Sequence, residues 1–227
     1  MSLADRYHDA QARIAAAAKA ANRNPDEISL IVVTKNHPAQ LVLDLLELGA
    51  RDFGENRDQE AAPKAAEVRA SSEIEHHWHF IGQLQSNKVK SVVNYASSVH
   101  SVDRPSLLEA LGRATVDREL PLDIFIQLNL TDDEGRGGIQ PANLDAFAEQ
   151  VLLHRGLNLV GVMGVAALDN QLDRDFGAIR QASEQLRRLA PSATSISAGM
   201  SEDFETAIAY GATHLRIGSA ITGKRQY

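Results

Sequence analysis

The sequence contains no cysteine, which excludes disulfides, thiolate nucleophiles and cysteine-ligated metals. It has no long run of like charges, and 23 basic against 30 acidic residues leave a formal charge of −7. A primary nucleic-acid or anionic-membrane partner is therefore not expected. The first residues, Met1-Ser2-Leu3-Ala4-Asp5-Arg6, lack the basic segment followed by an apolar stretch that marks a signal peptide. No apolar segment is long enough to span a bilayer, so a cytoplasmic location is expected. No composition shift or low-complexity linker divides the chain, and residues 1–227 read as a single domain with enough length for a sizeable core.

What the chain does contain is a repeating alternation of short apolar runs and longer helical patterns. An alanine-rich amphipathic helix spans about residues 3–21 and stops near Asn24-Pro25. Strands are predicted at 29–34, 51–54, 77–81, 98–101, 122–129, 157–165, 195–198 and 214–218. Helices are predicted at 39–48, 59–69, 106–115, 142–153, 173–189 and 202–210, with a shorter one at 86–93. Eight such units of roughly 25 residues suit a lean (β/α)₈ TIM-like barrel with one additional N-terminal helix. An open doubly wound sheet is the rival fold. Its dinucleotide fingerprint is missing, because the first βα turn, Thr34-Lys35-Asn36-His37-Pro38, has no glycine.

In a barrel the chemistry gathers where the strands' C-terminal ends meet. Strand one delivers Lys35, whose amine becomes a nucleophile toward aldehydes, including that of pyridoxal 5'-phosphate (PLP), if burial disfavours its charge. Strand two delivers Gly54-Glu55-Asn56, strand seven Gly199-Met200-Ser201, and strand eight Arg216-Ile217-Gly218-Ser219. Closure brings these four ends into one sector. Gly199, Ser201, Gly218 and Ser219 suit a phosphate, since glycines admit the ligand to the backbone and N–H and hydroxyl groups donate to it. Arg216 shares a strand face with Gly218 and, in a phosphopyridoxal site, faces the ring nitrogen. A permanently charged arginine keeps that nitrogen unprotonated, which suits holding the cofactor better than transamination.

These segments resemble the pyridoxal phosphate homeostasis family of PLP-binding barrel proteins. The resemblance runs through Val32-Val33-Thr34-Lys35-Asn36-His37-Pro38, Arg51-Asp52-Phe53-Gly54-Glu55-Asn56 and Trp78-His79-Phe80-Ile81-Gly82-Gln83-Leu84-Gln85-Ser86-Asn87-Lys88. It continues through Val99-His100-Ser101-Val102-Asp103, Gly161-Val162-Met163, Gly199-Met200-Ser201-Glu202-Asp203-Phe204-Glu205 and Arg216-Ile217-Gly218-Ser219-Ala220-Ile221. It implies that Lys35 carries PLP as an internal aldimine, that Ser201, Gly218 and Ser219 hold the phosphate, that Arg216 meets the ring nitrogen, and that Asn56 and Met200 line the pocket. It further implies a role in intracellular PLP homeostasis, buffering the cofactor and delivering it to PLP-dependent apo-enzymes without robust turnover. The chain departs from the family's usual residues at Ala198, at Gln83 and at Arg136-Gly137-Gly138.

Two other readings stand beside this one. The site also resembles the barrel half of fold-type III alanine racemases, whose two-sided proton transfer needs a tyrosine opposite the lysine. Tyr7, Tyr95 and Tyr210 fall elsewhere in the order of elements, leaving Tyr227 on the tail, and the missing partner domain favours a monomer. A metal-dependent barrel hydrolase would draw on His77, His79 and His100, but the first two sit low in their strand, and His79 reads as a hydrogen-bonded core residue. Asp132-Asp133-Glu134 reads as a solvated loop, and Lys88 as a rim residue near a second cofactor molecule or a partner.

Overall fold

The computed structural model describes residues 1–131, 135, 137–167, 169 and 171–223. Of the sequence expectations, those on Asp132-Asp133-Glu134, Arg136 and Tyr227 lie outside the described residues. Helix α1 (Leu3–Ala20) opens on a capping box in which the Ser2 hydroxyl accepts from the Asp5 N–H and the Asp5 carboxylate accepts from the Ser2 N–H. It buries Tyr7, Ala10, Ile14 and Ala18, a stripe at helical spacing. It ends because Asn22 takes a left-handed φ of 54° and the Arg23 N–H turns back to the Ala18 carbonyl.

Eight parallel strands follow: β1 (Ser29–Val33), β2 (Asp52–Glu55), β3 (His77–Phe80), β4 (Ser98–Val102), β5 (Leu122–Gln127), β6 (Leu157–Met163), β7 (Ser195–Ser197) and β8 (His214–Ile217). They pair in sequence order, and β8 returns to β1 to close the barrel. The connecting helices are α2 (Ala39–Glu47), α3 (Asp58–Ser71), α4 (Val89–Val92), α5 (Pro105–Ala114), α6 (Leu144–Leu152), α7 (Leu172–Leu189), α8 (Phe204–Ala209) and α9 (Ser219–Thr222). Most of the predicted strands reach one or two residues further toward the mouth than the ladders do. Several of those residues still donate to a neighbouring strand, as from Ile81 N–H to the Glu55 carbonyl (2.9 Å) and Ala198 N–H to the His214 carbonyl (3.1 Å).

The hydrophobic core lies between barrel and helices, where Val32, Phe53, Trp78, Phe80 and Leu215 meet residues such as Leu45 and Leu107. The barrel's inner layer is different. Bulky aliphatic residues usually fill it, yet here His79, Ser98, His100, Ser197 and Arg216 are buried there and bond one another, His100 of β4 reaching Ser197 of β7 across the barrel. Only side chains pointing at the barrel axis can make those contacts. Helix α1 lies over the β8 end of the ring, where Arg6 donates to the Ile221 carbonyl (2.6 Å) and Arg23 to the Ile208 and Ala212 carbonyls.

Candidate functional site

At the C-terminal mouth a cavity of about 730 Å³ opens, a size usual for small-molecule sites. Its walls include Lys35, Asn56, Met200, Ser201, Arg216, Gly218 and Ser219, the seven residues to which the family resemblance gives a role, whereas Gly199, also read as a phosphate-loop residue, does not line it. Val33, Ile81 and Val165 supply an apolar side. His37, Glu202 and Asp203, which stand inside the motifs that carry the resemblance but were assigned no role there, also line it.

Lys35 is set by what holds Thr34. The Thr34 hydroxyl donates to Glu55 Oε1 (2.8 Å), and its carbonyl accepts from Lys64 Nζ (2.8 Å). Lys64 also pairs with Glu55 at 2.5 Å, both side chains being buried. With Thr34 clamped toward α3, strand alternation turns Lys35 to the barrel side. Asn36 then takes a φ of 63°, its N–H donates to Glu60 Oε2 (3.0 Å), and the His37 N–H closes the turn on the Thr34 carbonyl. Burial pushes the Glu55 carboxyl up, against the lowering pull of Lys64 and Thr34. Lys64 could not be singled out from sequence, because one lysine inside a helical stretch does not reveal its partner.

Across the cavity, Asn56 has a buried Oδ1 that accepts no hydrogen bond from the described residues. A buried amide oxygen without a donor is costly and marks a place where a ligand group fits. Gly82 permits this arrangement, since a Cβ there would lie 2.2 Å from the Asn56 carbonyl oxygen.

The two phosphate-type loops are stitched together. Arg216 N–H donates to the Gly199 carbonyl (2.9 Å), the Ser219 hydroxyl approaches Ser201 Oγ (3.4 Å), and Ala220 N–H reaches the same oxygen (3.5 Å). The N–H donors expected beside Ser219 lie at the start of a short helix. Helix α9 has only four residues, so its donors act one by one rather than through a macrodipole. Asp203 accepts from the Met200 N–H (2.6 Å) and fixes the β7 loop. Its burial raises its carboxyl, while the Met200 N–H and Arg216 draw it down.

Arg216 is 6% exposed. Its Nη1 donates to Ser197 Oγ (2.6 Å) and its Nη2 to the Gly164 carbonyl (2.9 Å). Burial lowers it to about 10, with Asp203 opposing, so it remains a cation at neutral pH.

The remaining candidates fall elsewhere. Lys88 lines a separate, more polar cavity of about 460 Å³ with Arg57, Gln83 and Gln85. None of Tyr7, Tyr95 and Tyr210 lines the main cavity. His77 is exposed, whereas His79 and His100 are buried and bond each other. No cluster of three or more histidine, aspartate or glutamate side chains able to hold a metal occurs among the described residues.

Comparison with known proteins turns this geometry into a family. Residues 8–226 match the model of the alanine racemase N-terminal domain. A pyridoxal phosphate homeostasis protein of Mycobacterium tuberculosis is 40% identical over 232 residues, covering 95% of this chain and 90% of that one. The chain belongs to the pyridoxal phosphate homeostasis protein family. A second member, from Escherichia coli, is 38% identical over 218 residues, with 95% and 93% of the two chains covered. Among solved structures of the family's fold, PipY of Synechococcus elongatus with PLP bound superposes with a TM-score of 0.83 at 32% identity, covering 97% of this chain and 99% of that one. The family's barrel architecture is thus that of the present chain, and no helix among the described residues is long and apolar enough to cross a membrane.

Proposed function

We propose that this protein holds PLP in the mouth of the barrel, attached through the Lys35 amine, and acts in cofactor homeostasis rather than in turnover. The observation that carries the reading is the convergence on one cavity of a strand-end lysine, two serine-bearing glycine loops and a buried arginine. Bound PLP supplies an aldehyde that condenses reversibly with amines, and a pyridine ring able to withdraw electrons. The chain's residues are suited to keep it. Ser201, Gly218 and Ser219 offer donors to the phosphate, Asn56 offers an acceptor, and the apolar side formed by Val33, Ile81 and Val165 covers the ring. Arg216 directs donors at the ring nitrogen. As a group that keeps its proton at neutral pH, it leaves that nitrogen unprotonated and limits the ring's electron-withdrawing power.

The racemase-like alternative has less support, since a second proton-transferring tyrosine would have to face Lys35 across the cavity, and none of the described tyrosines does so. The relatives' names, homeostasis proteins rather than enzymes, favour the holder. A cytoplasmic monomer that passes PLP to apo-enzymes completes the reading. The test is the visible absorption spectrum of the protein and of Lys35→Ala, each incubated with PLP and freed of excess. Colour retained only by the wild type supports Lys35 as the anchor, while a wild type that stays colourless overturns the reading.

A further inference from the structure

Beneath the cavity a file of polar side chains runs down the barrel axis, and the proposed function uses only its top member. Arg216 Nη1 contacts Ser197 Oγ (2.6 Å), which contacts His100 Nδ1 (2.8 Å). His100 Nε2 lies 3.0 Å from Ser98 Oγ and 3.0 Å from His79 Nδ1. Ser98 Oγ lies 2.7 Å from His79 Nδ1, and His79 Nε2 lies 2.9 Å from Asp52 Oδ1 at the opposite end of the barrel. Ser98, His100 and Ser197 are at most 3% exposed, and the His79 and Asp52 side chains are 8% and 28% exposed.

With His79 neutral, the donors in this file align in one direction. Asp52 only accepts, so the neutral His79 carries its proton on Nε2 and accepts at Nδ1. Ser98 is the nearer donor to that nitrogen, and its oxygen then accepts from His100 Nε2–H. His100 Nδ1 accepts in turn from the Ser197 hydroxyl, whose oxygen takes the guanidinium N–H. Every link therefore donates away from Arg216 and toward Asp52, from a group that cannot accept to one that cannot donate. His100 stacks on Phe125 at a centroid distance of 4.1 Å, and His214 is 6.2 Å from it, edge-on. His77 Nδ1 is 3.9 Å from Asp52. Burial first, then His79, His214 and Arg216, keep His100 far below the ordinary imidazole range, in agreement with a neutral ring.

We propose that Asp52, His79, Ser98, His100 and Ser197 form a one-way hydrogen-bond chain that positions Arg216, so that a carboxylate at the far end of the barrel governs how firmly the pocket grips a pyridine nitrogen. Asp52, His79, His100 and Ser197 are positioning residues in this scheme. The inference rests on the reading that Arg216 faces the cofactor's ring nitrogen.

The test has two arms. Nitrogen-15 spectra of the histidines, taken without PLP, read the chain itself. His79 and His100 are expected to be protonated on Nε2 and bare at Nδ1, and Asp52→Ala is expected to bring a second tautomer into both rings. Binding of PLP and of its analogue with carbon in place of the ring nitrogen reads the coupling. Asp52→Ala and Ser197→Ala should weaken PLP about fivefold, the net worth of one hydrogen bond, and leave the carbon analogue unchanged. Asp52→Asn keeps the shape and one acceptor, should give a smaller loss, and serves if Asp52→Ala fails to fold. Unchanged His100 signals in a folded Asp52 variant, or equal losses for both ligands, overturn the proposal. A wild type that binds neither ligand overturns the cofactor reading and the coupling with it, while the histidine spectra still report whether the chain exists.

Discussion

At the scale of the residue, the position of Lys35 depends on a pair that does not line the cavity. Lys64 and Glu55 are both buried, and together they hold Thr34 by its hydroxyl and its carbonyl. Removing one member of such a pair leaves the other charge or polar group without its partner in a poorly solvated place. Lys64→Met is expected to destabilise the fold by about 3–5 kcal/mol, whereas adding Glu55→Leu to it should restore much of the loss. Urea unfolding of the wild type, the single and the double variant checks this. Equal stability of the single variant and the wild type would mean the pair contributes little. The same loosening of the Thr34 carbonyl should speed the loss of PLP from Lys64→Met, observable as fading colour on dialysis. Lys35 was legible in the sequence because it ends an apolar run just before a turn. Lys64 was not, because only the register of β1 against β2 brings Glu55 and Thr34 side by side and only α3 packing adds the lysine.

At the scale of the element, the β7–α8 turn is the most constrained piece of the site. Gly199 has a φ of 93°, and a Cβ there would lie 2.8 Å from the Ala207 Cβ and 3.0 Å from the Phe204 Cα. Gly199→Ala should therefore cost about 1–3 kcal/mol through backbone strain and crowding. It should also displace Ser201 and Arg216, since the Gly199 carbonyl accepts the Arg216 N–H. A thermal melt together with a PLP titration tests both parts; a variant with native stability and native affinity would contradict them. The elements themselves were largely legible, in kind and in order, because short apolar runs and 3.6-residue stripes are local signals. The strand ends were less so, since a residue with a ladder bond on one side only has the same apolar character as one with two.

At the scale of the whole molecule, the polar interior gives the fold a dependence on pH. His214 is partly buried beside His79, His100 and Phe125, with its Nδ1 on Thr213 Oγ1 (2.8 Å). Burial, aided by His79 and Arg216 and opposed by Asp52, lowers it to about 4 from an ordinary 6.5. Between those values the unfolded chain takes up a proton that the folded one refuses, so stability falls as pH drops from 6.5 toward 4. His214 alone should account for about 3 kcal/mol over that window, and His100 should add to it. Urea midpoints at pH 7.5, 6, 5 and 4.5 should decline along that course, and a folded His214→Phe variant should show a shallower decline; parallel curves would refute the assignment. This interior was only partly visible beforehand. Alternation put His77 and His79 on one strand face and marked His79 as a bonded core residue, but its partners Asp52 and Ser98 come from two other strands. Closure of the barrel by β8 against β1 also sets an order of events during synthesis. The lysine is made among the first 40 residues, while both serine loops and the arginine come after residue 198. On the proposed reading, a nascent chain on the ribosome therefore exposes Lys35 long before the loops assigned to the phosphate exist. Capture of the cofactor by that site would then wait until the last strand has docked beside the first.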